Sequence, residues 1–224
     1  MGTIFLGLGA GLALGYLMQI ATGRPPVGSW GRSLVKTGAA LGLVAWGLWS
    51  AAPGLIVLGL ALGAAGDFFL SRCGKPMFLA GMAAFAAGHL AYVAALWARA
   101  GALGFATPTP AQLALLAALG FGVAALGLWL SSRAGALRLP VLAYAMVIGL
   151  MAASALILPP HAGRGLIWLG VALFLGSDTL LALRIFVARD RAQKPLDLAV
   201  WPSYWLGQAL ILAGSVAYWG ASAG

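Results

Sequence analysis

Acidic side chains are scarce in this chain: its 224 residues hold four, and charged residues of both signs make up 8%, against about 25% in soluble domains. With hydrophobic residues at 62% and a mean hydropathy of +1.00, that scarcity excludes an ordinary water-soluble domain and points to a chain that lives in lipid. There is one cysteine, Cys73. It rules out an intramolecular disulfide and a cysteine metal cluster, and Cys73 reads as a structural bystander. The 13 basic residues give a net charge of +9, but they are scattered between apolar runs and form no continuous patch. Nucleic acid is therefore not an expected partner, and lipid headgroups are the expected counter-charge.

At about 20 residues per span, the chain has room for eight crossings and nothing else. Apolar runs fall at about 3–21, 33–52, 54–70, 77–98, 111–132, 139–158, 165–186 and 198–221. Pro110, Pro140, Pro159 and Pro160 lie near boundaries, where helices tolerate them. Only Ala52 and Pro53 separate the second and third runs, so a kinked single element competes with a hairpin there; their combined length favours the hairpin. The expected architecture is all-α: one polytopic domain over 1–224, an eight-transmembrane-helix bundle. Basic residues concentrate in the cytoplasmic loops of membrane proteins. The connections after runs one, three, five and seven hold Arg24, Arg32, Lys36, Arg72, Lys75, Arg133, Arg138, Arg184, Arg189, Arg191 and Lys194, and the other side holds only Arg99 and Arg164. Both termini should thus face away from the cytoplasm across an inner or plasma membrane. The first run, followed by Arg24 with no basic residue before it, reads as a retained anchor rather than a cleaved signal. Gly7, Gly11 and Gly15, at four-residue spacing, permit close helix approach inside the fold or between subunits.

Two of the four acids, Asp67 in GAAGDFFL and Asp178 in LFLGSDTLLAL, sit inside runs that otherwise read as lipid-buried helix. A carboxylate at membrane depth is costly without a partner or a wet cavity, so the pair suggests a reaction centre or an ion path. Asp67 lies about 6 Å from the cytoplasmic end of helix three and Asp178 about 12 Å inside helix seven, at the rise of an α-helix. His89 falls near the middle of helix four, Tyr144 near the cytoplasmic end of helix six, and Lys36 at the start of helix two. Tyr204 and Gln208, four residues apart, share one face of helix eight. The outer half is nearly bare, so these groups point to one polar cavity in the cytoplasmic half. Plainer explanations compete. A lone histidine is often an interhelical hydrogen-bonding group, tyrosines near helix ends anchor at the interface, Gln208 would bridge helices, and Lys36 would snorkel. Asp190 and Asp197, beside Arg189, Arg191 and Lys194 in the longest cytoplasmic connection, read as solvated ion pairs. His161 reads as a solvated loop residue.

GDFFL at 66–70, the Phe78, Gly81, Phe85, His89, Tyr92 series and SDTLLA at 177–182 with Phe186 together resemble the YhhN family of integral membrane proteins. Tyr144 with Met151, Tyr204 with Gln208 in YWLGQALI, and Lys36 extend the resemblance over helices two to eight. Thr37 follows Lys36 where the family often has proline, and helix three is unusually rich in small residues. The family's characterised members are lysoplasmalogenases, which split the vinyl ether bond of lysoplasmalogens into a fatty aldehyde and a glycerophosphoethanolamine or glycerophosphocholine. The resemblance therefore implies a membrane hydrolase whose partners are a lysophospholipid and the bilayer. Asp67, Asp178 and His89 are the candidate catalytic residues; Lys36, Tyr92, Tyr144, Ser177, Tyr204 and Gln208 are candidate substrate contacts, with Arg72 or Lys75 as further phosphate ligands. No cofactor or metal is expected.

Vinyl ether hydrolysis needs a proton donor and stabilisation of an oxocarbenium ion, and a protonated carboxyl with an ionised one can supply both, much as in glycoside hydrolysis. Asp178 is the preferred acid and Asp67 the base, with the reverse assignment open. The alternative is a proton-coupled transporter or a lipid-binding membrane protein using the same cluster. A transporter would more comfortably show an internal repeat with broken helices, and none is visible. A metal site built from Asp67, His89 and Asp178 has only one intramembrane histidine and no ligand-spacing motif. No lysine at mid-helix suggests a retinal site.

Overall fold

A computed structural model describes residues 1–188 and 190–220, the side chains of Asp190 and Arg191 excepted. The described residues form eight α-helices: α1 (Gly2–Thr22), α2 (Trp30–Trp49), α3 (Gly54–Leu70), α4 (Lys75–Leu103), α5 (Pro110–Ser131), α6 (Arg138–Leu156), α7 (Arg164–Phe186) and α8 (Asp190–Gly220). A single 3-10 turn, Gly135–Leu137, leads into α6. Five helices, α1, α4, α5, α6 with its leading turn, and α7, are long and apolar enough to cross a membrane, while α3 is apolar but shorter at 17 residues.

Local chemistry sets the boundaries. Ser29 caps α2 by accepting from the Arg32 amide, and Thr109 with Gln112 forms a reciprocal capping box at α5, with Pro110 in the first turn, where a missing N–H costs nothing. Between α2 and α3 the chain turns at Ala51, whose φ is +49°, so the hairpin wins over a kinked helix. The apolar pattern misplaces the start of α8. Hydrophobicity marks the lipid-facing stretch, whereas the helix itself begins in the polar segment at Asp190 and runs through Pro195 and Pro202. The long seventh connection therefore shrinks, and Asp197 sits on a helix. Ala221, the expected end of helix eight, lies outside the described residues.

Contacts between helices run from α1 to α2, α3, α4, α6, α7 and α8 and back to α1, a closed circuit, with α5 outside it and packed chiefly on α6. Backbone approach is closest where glycines meet: a Cβ on Gly42 would lie 2.6 Å from the Gly9 Cα, and one on Gly170 would lie 2.7 Å from the Gly207 carbonyl. Of the first-helix glycines, Gly7 and Gly11 face open space and Gly15 meets only Val35, so Gly9 makes the contact instead. Phe174, Tyr92, Ile167, Met151 and Leu212 are fully buried at the centre, whereas Leu8, Phe121 and Leu139 point outward, as lipid-facing side chains do. Cations concentrate at the end where α2, α4 and α6 begin; Arg72 lies over Trp30 at 4.2 Å and Arg133 over Trp129 at 3.8 Å.

Candidate active site

Three glycines on one face of α3 make room for the polar groups around Asp67. A Cβ on Gly63 would come 2.9 Å from Gln208 Nε2 and 3.3 Å from Tyr204 Oη; one on Gly66 would come 2.6 Å from the Phe85 ring, and one on Gly59 would collide with the Tyr92 ring. The small residues of helix three are thus the seats of aromatic and amide side chains from α4 and α8. Beside them Asp67 is 1% exposed and uses both oxygens: Lys36 Nζ lies 2.9 Å from Oδ1, and the Tyr204 hydroxyl donates to Oδ2 at 2.8 Å. Lys36 does not reach out to solvent. It turns inward over the rings of Tyr16 and Trp201, at 5.9 and 5.8 Å, and Trp201 is fixed by its indole N–H donating to the Ala13 carbonyl at 2.9 Å.

Asp178 on α7 has different neighbours. The Tyr144 hydroxyl donates to Oδ2 at 2.6 Å, and His89 Nε2 faces the same oxygen at 3.8 Å. His89 Nδ1 abuts the Phe85 carbonyl. A carbonyl only accepts, so Nδ1 carries a hydrogen, and Nε2 of a neutral ring presents a lone pair toward Asp178. Nε2 has no hydrogen-bond partner of its own, and a proton held by Asp178 would suit that geometry. Phe85, Phe174 and Tyr204 pack edge to face on one another, with centroids 5.3 to 6.5 Å apart.

The two aspartates line a common polar cavity bounded by α1, α2, α3, α4, α7 and α8, together with Lys36, Ser177 and Tyr204. A second, apolar chamber lies among α4, α5, α6 and α7. The two share a wall of Leu70, Phe78, Phe85, Leu181 and Ile185, and Asp178 belongs to both. Tyr144 lines the apolar chamber. Tyr92 donates to Gln208 Oε1 behind the wall, and both side chains are buried and line neither space. The Ser177 hydroxyl donates to the Phe174 carbonyl of its own helix at 2.8 Å.

Sequence reasoning missed several cavity residues. Arg32, Arg184, Asp197, Tyr16 and Trp201 all line the polar space, whereas Arg72 and Lys75 do not; Arg72 is held by Ser33 at 3.3 Å and by Trp30. Asp197 does not pair within its own connection but with Arg184 across α7 and α8. Arg189 and the side chains of Asp190 and Arg191 lie outside the described residues. The missing signal was helical spacing. Arg32 precedes Lys36 by four residues, and Asp197 and Trp201 precede Tyr204 by seven and three, so each shares a face with a residue already singled out.

The YhhN family pattern matches residues 31–215, most of the chain. No curated protein and no solved structure matches the chain.

Proposed function

The chain belongs to the YhhN family, and from that premise we propose that it is a membrane-embedded hydrolase that cleaves the vinyl ether bond of lysoplasmalogens. The observation that carries the reading is the place of Asp178 in the wall between a polar cavity and an apolar chamber. A lysoplasmalogen has its reactive bond at the same kind of boundary, where a phosphate-bearing glycerol meets a single aliphatic chain.

The proposed chemistry uses each aspartate according to its neighbours. Asp67, 2.9 Å from an ammonium, acts as the ionised carboxylate. Asp178, with a phenol donor and a histidine lone pair but no cation against it, acts as the acid. Its proton moves to the alkene carbon remote from the ether oxygen, and positive charge spreads over the other alkene carbon and that oxygen. Asp67 and the face of Tyr204 stabilise this cation. Water adds to the cationic carbon and gives up a proton to a carboxylate, forming a hemiacetal. The hemiacetal breaks its bond to the glycerol oxygen, which takes up one proton as the hemiacetal hydroxyl gives one up, releasing a fatty aldehyde and the glycerophosphodiester with Asp178 protonated again. His89 stands behind Asp178 and acts through it; its 3.8 Å contact has room to shorten when substrate is bound.

The test is turnover of purified protein on lyso-vinyl-ether, lyso-alkyl-ether and lyso-ester lipids with aldehyde detection. Aldehyde from the vinyl ether alone is expected, and Asp178→Asn should lower kcat by about 10²- to 10⁴-fold, the usual worth of a general acid. Wild-type rates in Asp178→Asn or Asp67→Asn would sink the two-carboxylate mechanism. Release of fatty acid from the ester in place of aldehyde would overturn the reaction class.

A further inference from the structure

We infer that Arg32 holds the phosphate of the lipid headgroup at the mouth of the polar cavity, with Arg184 flanking it; this rests on the hydrolase reading and names the residue that gives it headgroup recognition. Three cations, Arg32, Lys36 and Arg184, and three carboxylates, Asp67, Asp178 and Asp197, line that cavity. Lys36 is committed to Asp67 and Arg184 to Asp197. Among the described side chains Arg32 has no carboxylate within ion-pair distance. Its guanidinium lies over the Tyr16 ring at 5.4 Å and donates through Nη1 to the Pro25 carbonyl at 3.4 Å, a long bond. A guanidinium carries five N–H donors, so most of them have no described partner. The two ion pairs thus leave one cation, Arg32, and one carboxylate, Asp178, in the cavity; Arg32 is half-buried and planar, and its fork fits two oxygens of a phosphate diester.

Position agrees with chemistry. Arg32 lies on the same face of α2 as Lys36, one helical turn, about 5.4 Å, nearer the mouth. Lys36 touches Asp67. A ligand phosphate on Arg32 would therefore sit on the mouth side of the Lys36–Asp67 pair, in the cavity that Asp178 also lines, as the headgroup end of a lysophospholipid requires. Arg184, on the opposite wall, closes the anion site from the side of α7.

The test compares wild type, Arg32→Gln and Arg32→Lys as full chains in one detergent. Two substrates share the reactive bond: 1-alkenyl-glycerophosphoethanolamine and 1-alkenylglycerol, which lacks the phosphate. Arg32→Gln should lower the ratio of kcat/KM for the phospholipid to that for 1-alkenylglycerol by about tenfold or more, as loss of a hydrogen bond to a charged group predicts, chiefly through KM. Arg32→Lys should recover part of it. Equal losses on both substrates would make Arg32 a structural residue and overturn the inference. Equilibrium binding of the inert alkyl-ether lysophospholipid and alkylglycerol repeats the comparison without turnover. Selective loss of lysophospholipid binding, in a protein that hydrolyses no vinyl ether, would keep the phosphate site and reject the hydrolase reading. Free glycerophosphoethanolamine is the third ligand; loss of its binding with the lysophospholipid untouched would assign Arg32 to soluble phosphate esters and overturn the lipid assignment.

Discussion

An ammonium 2.9 Å from Asp67 and a phenol 2.6 Å from Asp178 give one type of side chain two kinds of chemistry within a single cavity. The Lys36–Asp67 pair is nearly sequestered, its side chains 14% and 1% exposed, so removing one partner strands a charge. Lys36→Met should cost about 3–5 kcal/mol, the usual penalty for breaking a buried pair. Asp67→Asn, which keeps an acceptor for Tyr204 and removes the stranded negative charge, should restore much of that stability in the Lys36→Met background. Thermal unfolding of the four proteins in detergent closes this cycle; a double variant no more stable than Lys36→Met would show that charge compensation is not what holds the pair. At this scale the sequence spoke clearly for Asp67, Asp178 and His89, because ionisable groups in apolar runs stand out. It read Arg32 only as a cytoplasmic loop charge and Asp197 as a solvated ion pair, because both lie at the margins of such runs and look like ordinary interfacial charges until their helical register is counted.

Helix α3 shows how an element serves the site without supplying most of its chemistry. Gly59, Gly63 and Gly66 let Tyr92, Gln208 with Tyr204, and Phe85 rest against the helix backbone. Gly63→Leu should push Gln208 and Tyr204 away from Asp67, with a stability loss of about 1–3 kcal/mol from overpacking and a turnover loss like that of removing Tyr204. Unfolding temperature and aldehyde release, measured on Gly63→Leu and Tyr204→Phe together, check this; a Gly63→Leu enzyme that keeps full rate would refute the seating. The range 54–70 expected for this helix from the apolar pattern is the range observed, since Pro53 and the polar Ser71 bound it sharply. The start of α8 was illegible for the converse reason: residues 190–197 are mostly polar, and their helicity comes from continuity with a helix packed backbone to backbone on α7 through Gly170 and Gly207.

On the scale of the molecule, the all-helical reading holds for the described residues, and the pairing of neighbours follows from short connections between antiparallel helices. The second and third helices pack as a hairpin, and α5 stands outside the circuit, an arrangement no periodicity could have given, because every face of α5 is apolar. If all eight helices cross the bilayer, the concentration of basic residues at one end places that end in the cytoplasm. A periplasmic-type phosphatase fused after Gly224 should then be active and a fluorescent protein at the same point dark. The reverse pattern would require another crossing number or orientation.

The shared wall at Asp178 also bears on what happens after the bond breaks. On the proposed hydrolase reading the two fragments would lie on opposite sides of that wall, the aliphatic chain of the aldehyde in the apolar chamber and the glycerophosphodiester in the polar cavity. Each product would then leave without passing the other. Dilution of the aldehyde into the lipid phase would keep back-reaction low, and inhibition by accumulated product would fall to the water-soluble half alone.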